Sequence, residues 1–427
     1  MQYIIATLGC KVNQYESEAM EQLLQSCGHR RCEEGEAADA VIVNTCAVTA
    51  EGERKVRQTV RRLRREHPKA VLALTGCFVQ VNSDGAAALG ADVLFGTGDR
   101  RGFVDAVETA VRERIAARFL DDPFRREHFE ELPAGAYEGH ARAYLKIEDG
   151  CDNFCTYCVI PFARGKVLSL PPERCAEECA ALAARGYKEV VVTGIEISSW
   201  GKDLKNGRTL IDALEAMAAA APEVRLHLGS LEPTVVTDDF VERLRALNVC
   251  PHFHLSLQSG CDETLRRMHR KYDTAAFFAV TERLRAAFPG CGVTTDLICG
   301  FPGETQKEFS STLAFIEKCA FSAMHIFPYS VRPGTKAAAM PGQVDKEEKA
   351  VRCRRAQTLA RRMQRDYLAQ NVGRELEVLF ETEANGECRG HAENYVEVAV
   401  RGKGLRSLVK KVKITAVDGQ MLVGCIL

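Results

Sequence analysis

Short apolar runs alternate with helical patterns over most of this chain, and this alternation constrains the fold more than any other feature. Before residue 120 the apolar runs are Tyr3–Leu8, Ala40–Val43, Ala70–Leu74 and Val93–Phe95. Helical patterns such as Glu16–Gln25 and Glu53–Arg65 separate them. Strands that alternate with helices form parallel sheets with helices on their faces. We therefore predict a parallel α/β sheet domain over residues 1–120.

The pattern changes over residues 121–140, where Pro133, Gly135 and Gly139 lie among charged residues and predict a linker. From residue 141 the alternation restarts and predicts a TIM-like partial (β/α)6 barrel with active-site residues at the C-terminal strand ends. Its apolar runs are Tyr144–Ile147, Val190–Val192, Val224–Leu228, Phe253–Leu257, Val293–Ile298 and His325–Phe327. An arginine-rich helix over Asp345–Tyr367 completes this domain, which we place at residues 141–370.

Short alternating strands follow Gly373 and predict a small β-barrel over residues 371–427. The strands are Glu375–Phe380, Val396–Val400, Lys411–Ile414 and Met421–Ile426. No apolar run approaches the roughly 20 residues needed to span a bilayer, and the apolar stretch before Cys10 is too short for an export signal. We therefore predict a cytoplasmic protein without a membrane partner.

The 18 cysteines are many for a chain without an export signal, and this favours metal ligation or catalysis over disulfides. Twelve of them show no ligand spacing and are interpreted as small buried hydrophobes or incidental thiols. They are Cys27, Cys32, Cys175, Cys179, Cys250, Cys261, Cys291, Cys299, Cys319, Cys353, Cys388 and Cys425.

Cys151, Cys155 and Cys158 form a C-x3-C-x2-C triplet directly after the first predicted barrel strand. Three thiolates at this spacing suit three corners of a [4Fe–4S] cluster, and a ferredoxin would supply a fourth cysteine. The next one here, Cys175, lies beyond a Pro-Pro pair, so one iron stays open for the amino and carboxylate groups of S-adenosylmethionine. The alternatives are coincidence and a zinc site, and no nearby Cys or His completes a zinc-ribbon spacing.

This loop, after the first strand of a βα barrel, resembles the radical S-adenosylmethionine superfamily. The resemblance implies that the three cysteines are catalytic: the reduced cluster cleaves the sulfonium, and the 5′-deoxyadenosyl radical abstracts hydrogen from an inert C–H bond. Thr193, Gly194, Glu196 and Glu232 lie at the ends of the second and third strands and are candidate cofactor contacts. The two carboxylates suit the ammonium or ribose hydroxyls, but each of them, like Asp296, is equally explained as an ordinary loop carboxylate.

Cys10, Cys46 and Cys77 each follow a predicted strand of the N-terminal domain. Because consecutive parallel strands end at one edge of a sheet, the three thiols are expected to converge there. Three convergent thiolates suit a second cluster with one open iron. Buried cysteines at strand ends are also common, so coincidence stays open at this point.

Thr7–Ser17, Asn44–Thr49, Thr75–Cys77 and the central triplet resemble the radical S-adenosylmethionine methylthiotransferase family in register. The resemblance covers nearly the whole chain, and the C-terminal barrel resembles a TRAM RNA-binding domain. It implies that Cys10, Cys46 and Cys77 hold an auxiliary [4Fe–4S] cluster that carries the sulfur for insertion. It also implies tRNA as a partner, together with a reductant of the flavodoxin or ferredoxin type.

Lys11–Ser17 looks like the branch of that family that modifies N6-threonylcarbamoyladenosine beside the tRNA anticodon, at position 37. Arg54–Gln58 also fits this branch, whereas Gly52 and Val56 depart from its pattern. The other branches modify isopentenyladenosine in tRNA or an aspartate of a ribosomal protein. A non-catalytic iron–sulfur redox protein is the alternative from another class, although it would need neither an open iron nor a large barrel.

Three basic clusters are candidates for contact with nucleic acid, although the net charge is only -1 and a solvated face explains each equally well. The first is Arg54, Arg57, Arg61 and Arg64 on one helix face. The second is Arg352, Arg354, Arg355, Arg361, Arg362 and Arg365. The third, in the predicted C-terminal barrel, is Arg401, Lys403, Arg406, Lys410, Lys411 and Lys413, with Tyr395 as a stacking candidate.

Overall fold

The structure, a computed structural model, describes residues 1–134 and 141–427 of the chain. Gly135 and Gly139 of the predicted linker lie outside the described residues. The described part of the linker contains a short 3-10 turn at Pro123–Arg125. Within the described residues, no helix combines the length and apolar character needed to cross a membrane.

A parallel sheet occupies the N-terminal part of the chain, as predicted. Its strands are β1 (Gln2–Thr7), β2 (Arg30–Arg31), β3 (Ala40–Thr45), β4 (Val71–Gly76), β5 (Val93–Phe95) and β6 (Ala117–Phe119). Its helices are α1 (Lys11–Ser26), α2 (Ala50–Glu66), α3 (Cys77–Val81), α4 (Ser83–Ala87) and α5 (Arg100–Glu113). The six strands lie in the order β2-β1-β3-β4-β5-β6. β3 and β4 are buried along their whole length, because helices cover both faces of the sheet.

Helix α2 shows how the sequence specifies these elements. The Thr49 side chain caps its start by accepting a hydrogen bond from the Gly52 backbone N–H. Val56, Val60 and Leu63 recur at helical spacing and are buried against the sheet, as predicted. One face of α2 therefore packs on the sheet, and its arginines lie on the face directed to solvent.

A partial barrel follows, and the six predicted strands are confirmed. They are β7 (Arg142–Lys146), β10 (Glu189–Thr193), β11 (Arg225–Leu228), β13 (His252–Gln258), β14 (Gly292–Cys299) and β15 (Ala323–Pro328). The short strands are β8 (Glu148–Asp149), β9 (Leu168–Ser169) and β12 (Ser230–Leu231). Parallel pairing runs β11-β10-β7 and β12-β13-β14-β15, and a parallel bridge between Leu226 and Val249 joins the two sheets. β7 and β15 are the outer strands, so the barrel is open between them.

Helices surround this barrel, and α1 of the N-terminal sheet lies beside its edge strand β7. The barrel helices are α6 (Ile160–Arg164), α7 (Pro172–Ala184), α8 (Leu210–Ala220), α9 (Asp238–Arg245), α10 (Asp262–Arg267), α11 (Thr274–Ala287), α12 (Gln306–Cys319) and α13 (Lys346–Gln370). The N-terminal sheet therefore covers part of the open side of the barrel.

The C-terminal part closes into a five-stranded barrel, as predicted. Its strands are β16 (Glu375–Ala384), β17 (Glu387–Ala392), β18 (Glu397–Arg401), β19 (Val409–Asp418) and β20 (Met421–Ile426), in the order β16-β17-β18-β20-β19. The sequence pattern missed β17, whose charged residues and Gly390 interrupt the apolar alternation. Gly390 is needed there, because a β carbon would overlap the Leu379 carbonyl of β16.

Most of the cysteines without ligand spacing are core residues. Nine of the twelve are buried, and only Cys27, Cys32 and Cys425 retain substantial exposure. Their burial agrees with their interpretation as small hydrophobic side chains.

A fully buried ion network joins the N-terminal sheet to the barrel. Glu16 of α1 accepts a hydrogen bond from Arg100 Nη2 at 2.9 Å and lies 3.4 Å from Lys146 Nζ of β7. Arg164 of α6 forms a two-pronged pair with the same carboxylate, with Nη2 at 3.1 Å from Oε2. Burial alone would raise the pKa of Glu16, but the surrounding cations outweigh it and hold the pKa well below its usual value.

Replacement of Glu16 by alanine is expected to lower the free energy of unfolding by about 3–5 kcal/mol, because buried cations lose their counter-charge. Chemical denaturation measures this change. Glu51→Ala is the matched control, since Glu51 and Arg54 form a solvent-exposed pair that contributes little. Equal stability of the two variants would show that the network does not hold the interface together.

Candidate active site

The central cysteine triplet lies in the loop between β8 and α6 at the C-terminal end of the barrel strands. Gly150 starts this loop with φ +87°, and a β carbon there would overlap the Lys166 carbonyl. The Cys151 N–H donates to the Gly165 carbonyl at 3.0 Å, and the Thr156 N–H donates to the Met268 carbonyl at 3.1 Å. These bonds fix the loop on the barrel and leave its three thiols half-buried.

The three thiols are close enough to influence one another electrostatically. Arg270 Nη1 donates to Cys155 Sγ at 3.2 Å, and the Ile160 N–H lies 3.4 Å from Cys158 Sγ. Desolvation, reinforced by Cys155, raises the pKa of Cys158 to about 12. Such thiols ionise most easily when a metal cation replaces their protons, so the donor set fits three corners of a cubane cluster.

The predicted cofactor contacts gather beside this loop. Thr193 ends β10, and a β carbon on Gly194 would lie 2.7 Å from Glu148 Oε2. Burial, followed by repulsion from Glu232, raises the pKa of Glu196 to about 8. Ser198 connects the two residues, because its N–H donates to Glu196 Oε1 at 3.2 Å and its Oγ accepts from the Glu232 N–H at 2.8 Å. The Glu196 charge also contributes to the raised pKa of Cys151. Two neighbouring carboxyl groups form a site suited to a cationic ligand.

Glu148 and Arg270 belong to this site, although the sequence reasoning did not identify them. The Glu148 carboxylate accepts a hydrogen bond from the Glu196 N–H at 2.7 Å, and its other oxygen is buried without a described partner. Arg270 bridges the Glu232 carboxylate and Cys155. Glu148 lies three residues before the triplet, which is a usable signal, whereas Arg270 follows a helix far along the sequence and gives none.

Asp296 points to a different group in the barrel interior. Its carboxylate lies 3.4 Å from His254 Nε2, and His254 Nδ1 contacts Thr294 Oγ1 at 3.0 Å. No described contact links Asp296 to the triplet loop. The described ion pair of Asp296 is therefore with His254.

Cys10, Cys46 and Cys77 follow the C-terminal ends of the neighbouring strands β1, β3 and β4. Desolvation and the charges of Cys77 and Cys10 raise the pKa of Cys46 to about 12, so the three thiols lie within electrostatic range. A β carbon on Gly9 would lie 3.0 Å from Cys46 Cβ. The predicted convergence of these residues at one sheet edge agrees with this geometry.

Asn13 holds the strand ends together. Its side-chain Nδ2 donates to the Leu8 carbonyl at 2.9 Å and to the Thr45 carbonyl at 3.0 Å. Asn13 Oδ1 lies 3.6 Å from Cys10 Sγ. One buried amide therefore fixes the spacing between the loops that carry Cys10 and Cys46.

The two cysteine groups face each other across the interface between sheet and barrel. Arg164 Nε lies 3.3 Å from Cys77 Sγ, and the Cys77 charge contributes to the raised pKa of Cys158. The Ala50 N–H donates to Ser330 Oγ at 2.9 Å on the same side. The N-terminal thiols therefore lie at the mouth of the barrel, next to the central triplet.

The basic clusters differ in how far they are free to bind a polyanion. Arg352 is buried and pairs with Glu304 at 2.7 Å, so it stabilises the fold. Arg64 of the first cluster pairs with Asp92 at 3.2 Å. In the third cluster, Lys413 lies 3.7 Å from Glu375, whereas Lys410 and Lys411 are exposed on β19. The third cluster remains the best candidate.

Tyr395 is placed differently from the stacking residue that the sequence suggested. Its ring stacks on His252 and His391, with centroids 4.7 and 4.8 Å away. Arg142 of β7 lies over the same ring at 5.5 Å. Tyr395 therefore connects the small barrel to strands β7 and β13 of the large barrel.

Comparisons with known proteins agree with this geometry. Residues 145–316 match the radical SAM superfamily model, and residues 2–96 match a model described as uncharacterized protein family UPF0004. The chain is 38% identical over 418 residues to the threonylcarbamoyladenosine tRNA methylthiotransferase MtaB of Bacillus subtilis, covering 96% of this chain and 92% of that one. It is 35% identical to the tRNA-2-methylthio-N(6)-dimethylallyladenosine synthase of Moorella thermoacetica, covering 88% and 86%.

Among solved structures, the fold resembles the radical S-adenosylmethionine methyltransferase TsrM of Kitasatospora setae. The TM-score is 0.55 at 14% identity, over 91% of this chain and 80% of that one. The chain belongs to the radical S-adenosylmethionine methylthiotransferase family. It is accordingly an enzyme that uses a [4Fe–4S] cluster and S-adenosylmethionine, as predicted.

Gly76→Ala tests the packing that positions Cys77. Gly76 has φ +100°, and a β carbon would lie 2.6 Å from Asn44 Oδ1 and the Thr45 carbonyl. We expect Gly76→Ala to cost about 1–3 kcal/mol more unfolding free energy in urea than Gly90→Ala, because crowding adds to a backbone conformation (φ +100°, ψ −171°) that is almost confined to glycine. Gly90 has φ +72° and open space around it, so its variant measures a mild positive-φ cost without crowding. Equal losses in both variants would argue against close packing at Gly76.

Proposed function

We propose that this enzyme adds a methylthio group to C2 of N6-threonylcarbamoyladenosine at position 37 of tRNA, next to the anticodon. The observation that carries this proposal is the meeting of two cysteine triads at the barrel mouth, with Arg164 in contact with Cys77 between them. A sulfur-insertion enzyme needs its radical source and its sulfur source beside one substrate atom.

Cys151, Cys155 and Cys158 would hold the [4Fe–4S] cluster that binds S-adenosylmethionine. When bound, this pair supplies the 5′-deoxyadenosyl radical that removes hydrogen from the substrate. Glu196 and Glu232 would bind the cofactor's ammonium or ribose hydroxyls, and Thr193 and Gly194, at the end of β10, would contact it as well. The raised pKa of Glu196 fits this role, because a cationic ligand would relieve its repulsion from Glu232.

Cys10, Cys46 and Cys77 would hold a second [4Fe–4S] cluster, which would supply the inserted sulfur. A second molecule of S-adenosylmethionine would supply the methyl group. Arg164 would lower the negative charge near Cys77. A flavodoxin or ferredoxin would provide electrons, since clusters of this kind have low potentials.

Three domains would divide this work, with the boundaries predicted from the sequence. Residues 1–120 would carry sulfur, 141–370 would generate the radical after the linker at 121–140, and 371–427 would bind RNA through a TRAM-like barrel. The exposed Lys410 and Lys411 suit contact with a phosphate backbone. The substrate proposal itself rests on the Lys11–Ser17 run and on the similarity to the threonylcarbamoyladenosine tRNA methylthiotransferase of Bacillus subtilis.

Iron content tests the two-cluster proposal. Anaerobically reconstituted protein should bind about eight irons, as two cubanes, and alanine replacement of either triad should halve this number. Loss of the central triad should also abolish 5′-deoxyadenosine formation, whereas loss of the N-terminal triad should abolish only the methylthio product. The control replaces Cys27, Cys32 and Cys425, which retain exposure, and should keep the full iron content. Methylthio product from the variant without the N-terminal triad would contradict the sulfur role.

Nucleoside mass spectrometry tests the substrate. The enzyme is incubated with reductant, S-adenosylmethionine and tRNA that carries threonylcarbamoyladenosine, isopentenyladenosine or unmodified adenosine. We expect the first to gain the methylthio group and the others to react poorly, because a site built for polar contacts rejects substrates that leave them unpaired. Preferential conversion of isopentenyladenosine would replace the substrate and keep the enzyme class. Reaction only with a ribosomal protein would exclude tRNA.

A further inference from the structure

A cavity of about 630 Å³ lies between the loop that carries Cys10 and the C-terminal barrel. Its lining includes Cys10, Lys11, Arg142, His391 and Tyr395. The cavity therefore connects a proposed sulfur ligand with residues of the RNA-binding barrel. It is called the Lys11 cavity below.

Lys11 brings an unmatched positive charge to this cavity. Among residues 1–134 and 141–427, no carboxylate or hydrogen-bond acceptor pairs with its ammonium group, and its described contact is the Tyr395 ring at 5.9 Å. Two carboxylates of this region are already engaged: Glu381, which lines the cavity, pairs with Arg142, and Glu189, whose charge acts on Lys11, pairs with Arg225 at 2.7 Å. A cation in a cavity without a protein partner points to an anionic ligand.

The wall opposite Lys11 is aromatic and rigid. Tyr395 is held in the left-handed region, with φ +67°, and is flanked by His252 and His391. Arg142 is fixed over the same ring by its pair with Glu381. These contacts give the cavity a fixed wall of ring atoms and charged groups opposite Lys11, so a ligand bound there would be held in one orientation.

We infer that the Lys11 cavity receives the N6 substituent of the substrate adenosine and that Lys11 binds its carboxylate, which makes Lys11 a specificity-determining residue. This inference rests on the proposed function. Sulfur that reaches C2 must come from beside Cys10, and the carboxylate lies only a few bonds from the same adenine ring. It is the single negative charge on the modified base. An isopentenyl group would leave the Lys11 charge unpaired, so the cavity would disfavour it.

A tRNA phosphate is a second possible source of negative charge for Lys11, and the experiment separates the two. Anticodon stem-loops are prepared with threonylcarbamoyladenosine or with its neutral threonine-amide counterpart, which keep identical phosphates. Their affinities are measured for the wild-type enzyme and for Lys11→Met, which removes the charge at similar length. Lys11→Arg keeps the charge. Lys69→Met is the control, because Lys69 is exposed and precedes the N-terminal end of β4, whereas Cys77 follows its C-terminal end.

The wild-type enzyme and Lys69→Met should bind the stem-loop with threonylcarbamoyladenosine about 10- to 100-fold more tightly than the stem-loop with the threonine amide. Lys11→Met should bind the two stem-loops with equal affinity. Lys11→Arg should keep most of the preference for the stem-loop that carries the carboxylate. Retention of the full preference in Lys11→Met would overturn the inference. If Lys11→Met lost the same affinity for both stem-loops, Lys11 would bind a phosphate, and the inference would again be overturned.

The proposed function is judged by a separate measurement on the wild-type enzyme. Failure to convert threonylcarbamoyladenosine tRNA in the mass-spectrometric assay would reject the substrate itself. Conversion of that tRNA together with an unchanged preference in Lys11→Met would reject only the role of Lys11. Iron content of each variant after reconstitution shows that the fold around Cys10 is intact.

Discussion

The buried contact of Arg164 with Glu16 is the interaction on which the arrangement of the two halves depends. Arg164 ends the helix that follows the central triplet, and its guanidinium reaches both the Glu16 carboxylate of α1 and the Cys77 thiol. A guanidinium removed from water needs such partners, because an unpaired buried charge is strongly destabilising. By pairing with Glu16 and contacting Cys77, Arg164 therefore holds the N-terminal cysteines next to the loop of the central triplet.

Strand direction explains why the chemistry lies where it does. Parallel strands present their C-terminal ends at one edge, and both the N-terminal sheet and the barrel place cysteine loops after such ends. The open side between β7 and β15 leaves room for the N-terminal sheet to approach the barrel.

The small C-terminal barrel contributes more than the RNA-binding surface proposed for it. Tyr395 extends from it into contact with His252 of the large barrel, and Arg142 of β7 pairs with Glu381 on β16. These contacts close one side of the cavity beside Cys10. RNA held by the exposed face of the small barrel would thus lie near the proposed sulfur site, which is why the position of this barrel matters for specificity.

The sequence by itself determined the elements and the thiols. Apolar periodicity predicted the strands of all three parts except short or interrupted ones such as β17, and spacing alone selected Cys151, Cys155 and Cys158, because those features are local along the chain. Only the tertiary structure revealed Arg270 beside Cys155 and Lys11 facing Tyr395. These pairs are separated by more than a hundred residues, and buried charges are matched by position in space, which no local pattern records.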